Sequence, residues 1–255
     1  MRLHGDHTAK REPSPEVIET GRELLRRLDF AASARRDDHN LNMIARASLK
    51  GDEGASLVGE FCRKLMKGTA DYHVRAYHHH DLFAALIRTQ PIAALDALFG
   101  GDSKAKKNAI RVINDIVRLV EKNPLSGIPD DSLLEWCERN AAVRYPIMAS
   151  LITPFSGDEK TPLQWTGTAR QLLKQAPDRL AVFKEFMPNF HTTSWSGSLA
   201  SHMETKLPLL DDPEIRDDSA LASFVAQTRA RLKRDVESQR RIETERDRQR
   251  DESFE

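Results

Sequence analysis

Apolar side chains recur at three- and four-residue intervals along nearly the whole chain, the spacing of one face of an α-helix. Ser14, Pro15 and Glu16 supply a cap, a first-turn proline and a first-turn acid. They predict a helix to about Phe30 whose stripe is Val17, Ile18, Leu24, Leu25 and Leu28. After a polar break over 31–40, a short helix carries Leu41, Ile44 and Leu49 and ends at Gly51. Asp52 is placed to cap a helix with Leu57, Val58, Phe61, Cys62, Leu65 and Met66 inward, stopped by Gly68. Leu82, Phe83, Leu86 and Ile87 form the next stripe, and Pro91 opens one with Ile92, Leu95, Leu98 and Phe99. Gly100-Gly101 ends it, and Asp102 caps a helix with Ile110, Ile113, Ile116, Val117 and Val120. Asp130 or Asp131 begins another through Leu133, Leu134 and Cys137, and 143–152 is helical with Pro146 in a first turn or a kink.

Residues 156–162 form the best internal loop. Beyond them, one helix takes Trp165, Leu172 and Leu173, and another takes Leu180, Val182, Phe183 and Phe186. The stretch 188–198 is irregular, with Trp195 expected to anchor it on the body. Helices resume with Leu199, Met203 and Leu207, and a last long one from Ser219 holds Leu221, Phe224, Val225, Leu232 and Val236. No segment reads as a β-hairpin. The expected fold is therefore all-α, a HEAT-like α-solenoid array of stacked helix pairs with a long charged C-terminal helix, because one short helix with one stripe needs a neighbour to bury it. Its parts are a disordered N-terminus over 1–13, a helical region over 14–155, a HEAT-like region over 156–236 and an exposed charged tail over 237–255. That tail has only Ile242 and Phe254 as large apolar side chains. It is expected to continue the last helix, project from the body and fray before Phe254, so that deleting 243–255 changes stability little. Phe61, Phe83, Leu86, Ile113, Ile116, Phe183 and Phe224 are the expected core.

Three segments share one grammar, an aliphatic pair, three mostly polar residues and a proline: Leu86 to Pro91, Leu119 to Pro124 and Leu172 to Pro177. Stacked helix pairs produce this pattern. The run Leu209-Leu210-Asp211-Asp212-Pro213-Glu214-Ile215-Arg216 resembles the inter-helix turn of a HEAT repeat. The resemblance implies that Asp212 caps the second helix of a pair and that Arg216 reaches polar groups of the adjacent unit. Asp217 and Asp218 stand where the family has small residues. The stretch from Trp165 through the charged tail also resembles the C-terminal part of large bacterial multidomain proteins, some of them NTPases linked to defence.

Charge alters this picture little. The 255 residues hold 39 basic and 39 acidic side chains, so no global basic excess points to nucleic acid or an acidic membrane. No apolar run approaches a membrane span, and the N-terminus lacks the apolar segment of a secretory signal. Cys62 and Cys137 lie far apart among apolar residues, as buried thiols of a reducing compartment do. A cytoplasmic protein is expected, with a protein partner, no cofactor, no metal, and an oligomeric state left open.

The pattern G-x-x-x-x-G-K-[ST] that cradles phosphate is absent, and Gly100-Gly101-Asp102-Ser103-Lys104 reads as a helix end followed by a cap. Chemistry concentrates instead around Asp71, His73, His78, His79, His80 and Asp81. Three consecutive histidines on a helix point about 100° apart and cannot all face one ion. The His80-Asp81 pair resembles the helical HD metal-dependent phosphohydrolases, whose further ligands fall formally on His39 and Asp115. Arg75 through His80 also fits R-x4-H, the motif of the helical HEPN ribonucleases. That resemblance implies that Arg75 steadies the scissile phosphate and His80 assists the attacking ribose hydroxyl. Against both stands an ordinary polar helix start open to water, and a non-catalytic interaction or scaffolding module is the leading expectation.

Overall fold

Helix caps written in the sequence set many of the element starts in the computed structural model, which describes residues 13–32, 37–157, 161–191, 195–212 and 218–252. Ser14 Oγ accepts from the Val17 N–H, and the Asp102 carboxylate accepts from the Ala105 N–H at 2.8 Å. Asp178 and Asp218 do the same for Ala181 and Leu221, both at 2.8 Å. Each cap satisfies one of the amides that a helix N-terminus leaves without an internal acceptor.

The chain divides into two compact units, 1–133 and 134–255. The first holds α1 (Pro15–Arg26), α2 (Asp38–Ser48), α3 (Gly51–Ala70), α4 (His80–Thr89), α5 (Pro91–Phe99) and α6 (Ser103–Val120). Helix α7 (Asp130–Glu138) runs across the division. The second holds α8 (Ala141–Ala149), α9 (Gly167–Gln175), α10 (Arg179–Phe186), α11 (Leu199–Glu204) and α12 (Ser219–Glu252). Strands β1 (Phe155–Ser156) and β2 (Gln164–Trp165) make one two-residue antiparallel pair around the expected 156–162 loop. The all-α class holds.

In the first unit the closest pairings join α2 to α4, α3 to α5 and α1 to α2. Phe61, Phe83, Leu86, Ile113 and Ile116 are all buried, as their stripes predict. Gly68 does not stop α3, which runs on to Ala70. A Cβ at Gly68 would lie 2.6 Å from Val74 Cγ2, so this glycine lets the returning chain pack against the helix. The prolines of the repeated grammar behave as read: Pro91 opens α5, Pro124 opens a 3-10 turn, and Pro177 lies between α9 and α10. The α4–α5 junction at Pro91 turns the chain by 115°. Among the described residues, no single helix is long and apolar enough to cross a membrane.

The second unit is organised on aromatic rings. Trp165 lies 6.0 Å from Phe183, 5.6 Å from Phe186 and 6.2 Å from Phe190, and its indole N–H donates to the Leu209 carbonyl at 2.9 Å. Phe183 and Phe186 are fully buried, whereas Phe224 is only half-buried, its ring edge on Phe183. Trp195, the expected anchor, is 49% exposed. The tryptophan site of this core belongs to Trp165, and Trp195 stays on the surface. Asp212 pairs with Arg170 at 2.8 Å, Asp218 caps α12, and Arg216 lies outside the described residues, as does Phe254.

Helix α12 continues past Val236 as expected, but it does not simply project. The Glu243 carboxylate accepts from Ser198 Oγ at 2.6 Å and from the Ala200 N–H at 3.1 Å, and Arg240 pairs with Glu204 at 2.6 Å. Glu243 thus serves as a second acceptor for the first turn of α11. The Ser198 hydroxyl foremost, and the Ala200 N–H after it, hold the Glu243 carboxyl below its ordinary value of 4.5. Its stabilising contribution is present above that ordinary value and is lost as the pH falls through the lowered one. The Ala200 amide shift in an NMR titration should therefore report an acid titration below 4.5 that vanishes in Glu243→Gln. The same transition in both proteins would refute the contact.

Candidate functional site

The histidine-rich stretch leaves α3 through Tyr72, whose φ is 60°, then forms a 3-10 turn over Ala76–His79 before α4 begins at His80. No side chain at the N-cap position, His79, caps α4. The cap comes instead from α2: Asp38 Oδ2 accepts from the Asp81 N–H at 2.8 Å and Oδ1 accepts from the Leu82 N–H at 2.9 Å. A carboxylate there also meets the positive end of the α4 dipole. Asp38 is 2% exposed, and burial foremost pushes its carboxyl above its ordinary value of 3.8, against the opposing pull of the two N–H groups and His80.

His80 closes the arrangement. Its Nδ1 lies 3.3 Å from Asp38 Oδ2 and 3.2 Å from the Tyr77 carbonyl, and its Nε2 lies 3.4 Å from Asp81 Oδ1. His79 is buried, its Nε2 3.3 Å from the Phe30 carbonyl and its ring edge-on to Phe30 at 5.5 Å. Burial foremost lowers the His79 pKa, with Asp38 opposing. This start of α4 is therefore not a polar turn open to water, because His79 and Asp38 are interior groups.

His80 and Asp81 are together, but the formal partners of the HD reading lie elsewhere. His39 is exposed, and Asp115 on α6 is held by Arg111 and Arg118, each at 3.1 Å. Arg75 is exposed and donates to Tyr77 Oη at 3.1 Å, while the ring nitrogens of His80 face Asp38, Asp81 and the Tyr77 carbonyl. Asp38 is the member that the sequence does not announce, since it reads as part of a polar break. Asp38, His80 and Asp81 bring one donor atom each within 4.8 Å. Both oxygens of Asp38 already accept N–H groups at the positive end of a helix, and the two nitrogens of His80 face different carboxylates. The helix N-terminus thus stabilises the Asp38 carboxylate, and these contacts clasp the start of α4 to α2.

A second feature lies on the other side of α2. Arg22 donates to the Ser48 carbonyl at 2.9 Å and to Glu53 at 2.6 Å, and Arg26 reaches Glu53 at 2.8 Å. These bonds turn one flank of α1 toward the ends of α2 and α3. A Cβ on Gly21 would lie 2.9 Å from Ser48 Cβ, so α1 and α2 touch where Gly21 stands. The opposite flank faces out. Val17, Leu24 and Met43, exposed at 56%, 56% and 54%, border a groove of about 510 Å³ with Thr20 and Ile44. Three of the large apolar side chains exposed on the protein thus share one face.

Comparison with protein families, curated proteins and solved structures finds no match. The class that the chain defines by its own structure is an all-α protein of two helical units.

Proposed function

We propose that the protein is a non-catalytic helical module that binds a protein partner, with the α1/α2 groove as the docking face. The observation that carries this reading is the collection of Val17, Leu24 and Met43 on one outward face of two helices fixed from behind by Arg22 and Arg26. An amphipathic helix laid into such a groove would bury what the fold leaves open. The pairing of alternate helices, α2 with α4 and α3 with α5, is what stacked helix pairs produce, and it supports the HEAT-like array. Cys62 and Cys137 are buried single thiols, each pushed up to about 12 by burial, which suits a reducing compartment such as the cytoplasm. A place within a larger bacterial effector assembly remains part of the same proposal, resting on the resemblance of the C-terminal half alone.

Leu24→Glu with Met43→Glu tests it. Both positions are exposed, so the helical signal and melting midpoint of the double variant should stay close to wild type. In paired affinity captures, proteins retained by wild type should be lost from the variant. Identical sets from the two baits would overturn the groove as the docking face.

A further inference from the structure

We propose that the occupant of the α1/α2 groove is a second copy of this chain, with α1 lying antiparallel to α1 of the partner. This rests on the docking reading above and adds to it the identity of the partner. The reason is the distribution of charge along the face. Glu16 and Arg27 stand eleven residues apart on α1 and its cap residue, which is three helical turns, so both lie along one edge of α1, Glu16 in the groove lining and Arg27 beyond its far end, with Thr20 between them. Glu16 marks the start of this edge, and Arg27, bonded to Glu23 one turn back, marks its end.

A two-fold axis across α1 brings the two signs together. Val17 and Leu24, seven residues apart, have their midpoint within one residue of the midpoint of Glu16 and Arg27. A single antiparallel register, with a mismatch of about 3 Å at 1.5 Å per residue, therefore serves both pairs. Val17 then packs on the partner's Leu24, and Leu24 on the partner's Val17. Glu16 faces the partner's Arg27, and the reverse pair forms by symmetry. A long arginine side chain spans that offset. Glu16 makes no ion pair among the described residues, and Arg27 is 77% exposed and bonded to Glu23 of its own helix at 2.8 Å, a surface pair of little net strength that it would share with or exchange for Glu16 of the other copy. A parallel arrangement would instead set Glu16 on Glu16 and Arg27 on Arg27. Thr20, exposed on the groove between the two ends, stands near the axis as the smallest outward side chain there.

The face is modest. Two three-turn helices offer a footprint of about 18 Å by 20 Å, roughly 400 Å² per copy. A standard interface takes about twice that from each partner. The pairing is therefore weak and concentration-dependent, and the apolar centre supplies its strength while the charges set its register.

Sedimentation equilibrium of the full chain at low salt, over the micromolar to millimolar range, provides the test. Wild type should show a monomer–dimer equilibrium, and Leu24→Glu should remain monomeric throughout. Glu16→Arg and Arg27→Glu should each weaken the dimer about fivefold to tenfold, since each removes two symmetric contacts and adds repulsion. The double variant Glu16→Arg/Arg27→Glu should recover wild-type association to within about threefold. Circular dichroism of each variant checks that α1 stays folded. A wild type that is monomeric throughout overturns the proposal, and so does a dimer indifferent to Leu24→Glu. Failure of the double variant to recover overturns the antiparallel arrangement. If wild type is monomeric while Leu24→Glu with Met43→Glu still loses a captured partner, self-pairing fails and the docking face stands.

Discussion

Phe183→Ala should destabilise the second unit by about 3–5 kcal/mol, the range for removing a fully buried phenylalanine ring. Phe183 has no exposed surface, and its ring lies 6.0 Å from Trp165, 6.3 Å from Phe190 and 6.1 Å from Phe224. Trp165 is held by its bond to the Leu209 carbonyl, and α10, which carries Phe183, is held by the Asp178 cap. The site cannot collapse onto the missing ring, so most of the cavity remains and the cost sits in the upper part of the range. Calorimetry should show the transition of this unit lowered by roughly 10–20 °C. Ile242→Ala, at a position 51% exposed on α12, should leave it within the scatter of surface substitutions. An unchanged midpoint for Phe183→Ala would show that α10 does not pack as described.

The helices were legible because three local signals agree in them. A stripe such as Ile113 and Ile116 marks the inward face, a residue such as Asp102 marks the start, and a proline such as Pro91 marks the next start. Each depends on neighbours within a few positions, which is the range over which sequence speaks directly. Gly68 shows the limit. Read locally it is a helix stop, yet its requirement comes from Val74 folding back onto it. The face of α1 was legible only in part. Periodicity groups Val17, Leu24 and Leu25 together, but only Leu25 is buried, because whether a second helix covers the whole stripe depends on tertiary placement. The site was half legible for the same reason. His80 and Asp81 adjoin in sequence, whereas Asp38 reaches them across more than forty residues, and nothing near Asp38 distinguishes it from Asp37. Trp195 and Trp165 are likewise equal as residue types, and only the fold buries one of them.

Asp38→Ala should have the larger effect on the first unit, about 2–4 kcal/mol. The substitution strips the acceptor from the Asp81 and Leu82 N–H groups, one of them buried, and removes the carboxylate facing His80. No side chain at the N-cap position of α4 replaces it. The closest pairing in the unit, α2 on α4, loses its polar lock as a result. Asp38→Asn separates the contributions. Its amide oxygen accepts one N–H, while its NH2 group confronts the other, so roughly half of the alanine cost is expected. The pH dependence has a definite sign. Burial raises the Asp38 carboxyl above its ordinary 3.8, so the folded state holds that proton more tightly than the unfolded chain does. The contribution from this titration is fully present below 3.8 and is lost as the pH rises through the raised value. The gap between wild type and Asp38→Asn, measured by urea unfolding from pH 3 upward, should accordingly narrow as the pH rises and then become constant. A gap that widens with pH would mean that the two N–H groups and His80 outweigh burial, and that the clasp holds Asp38 below its ordinary value.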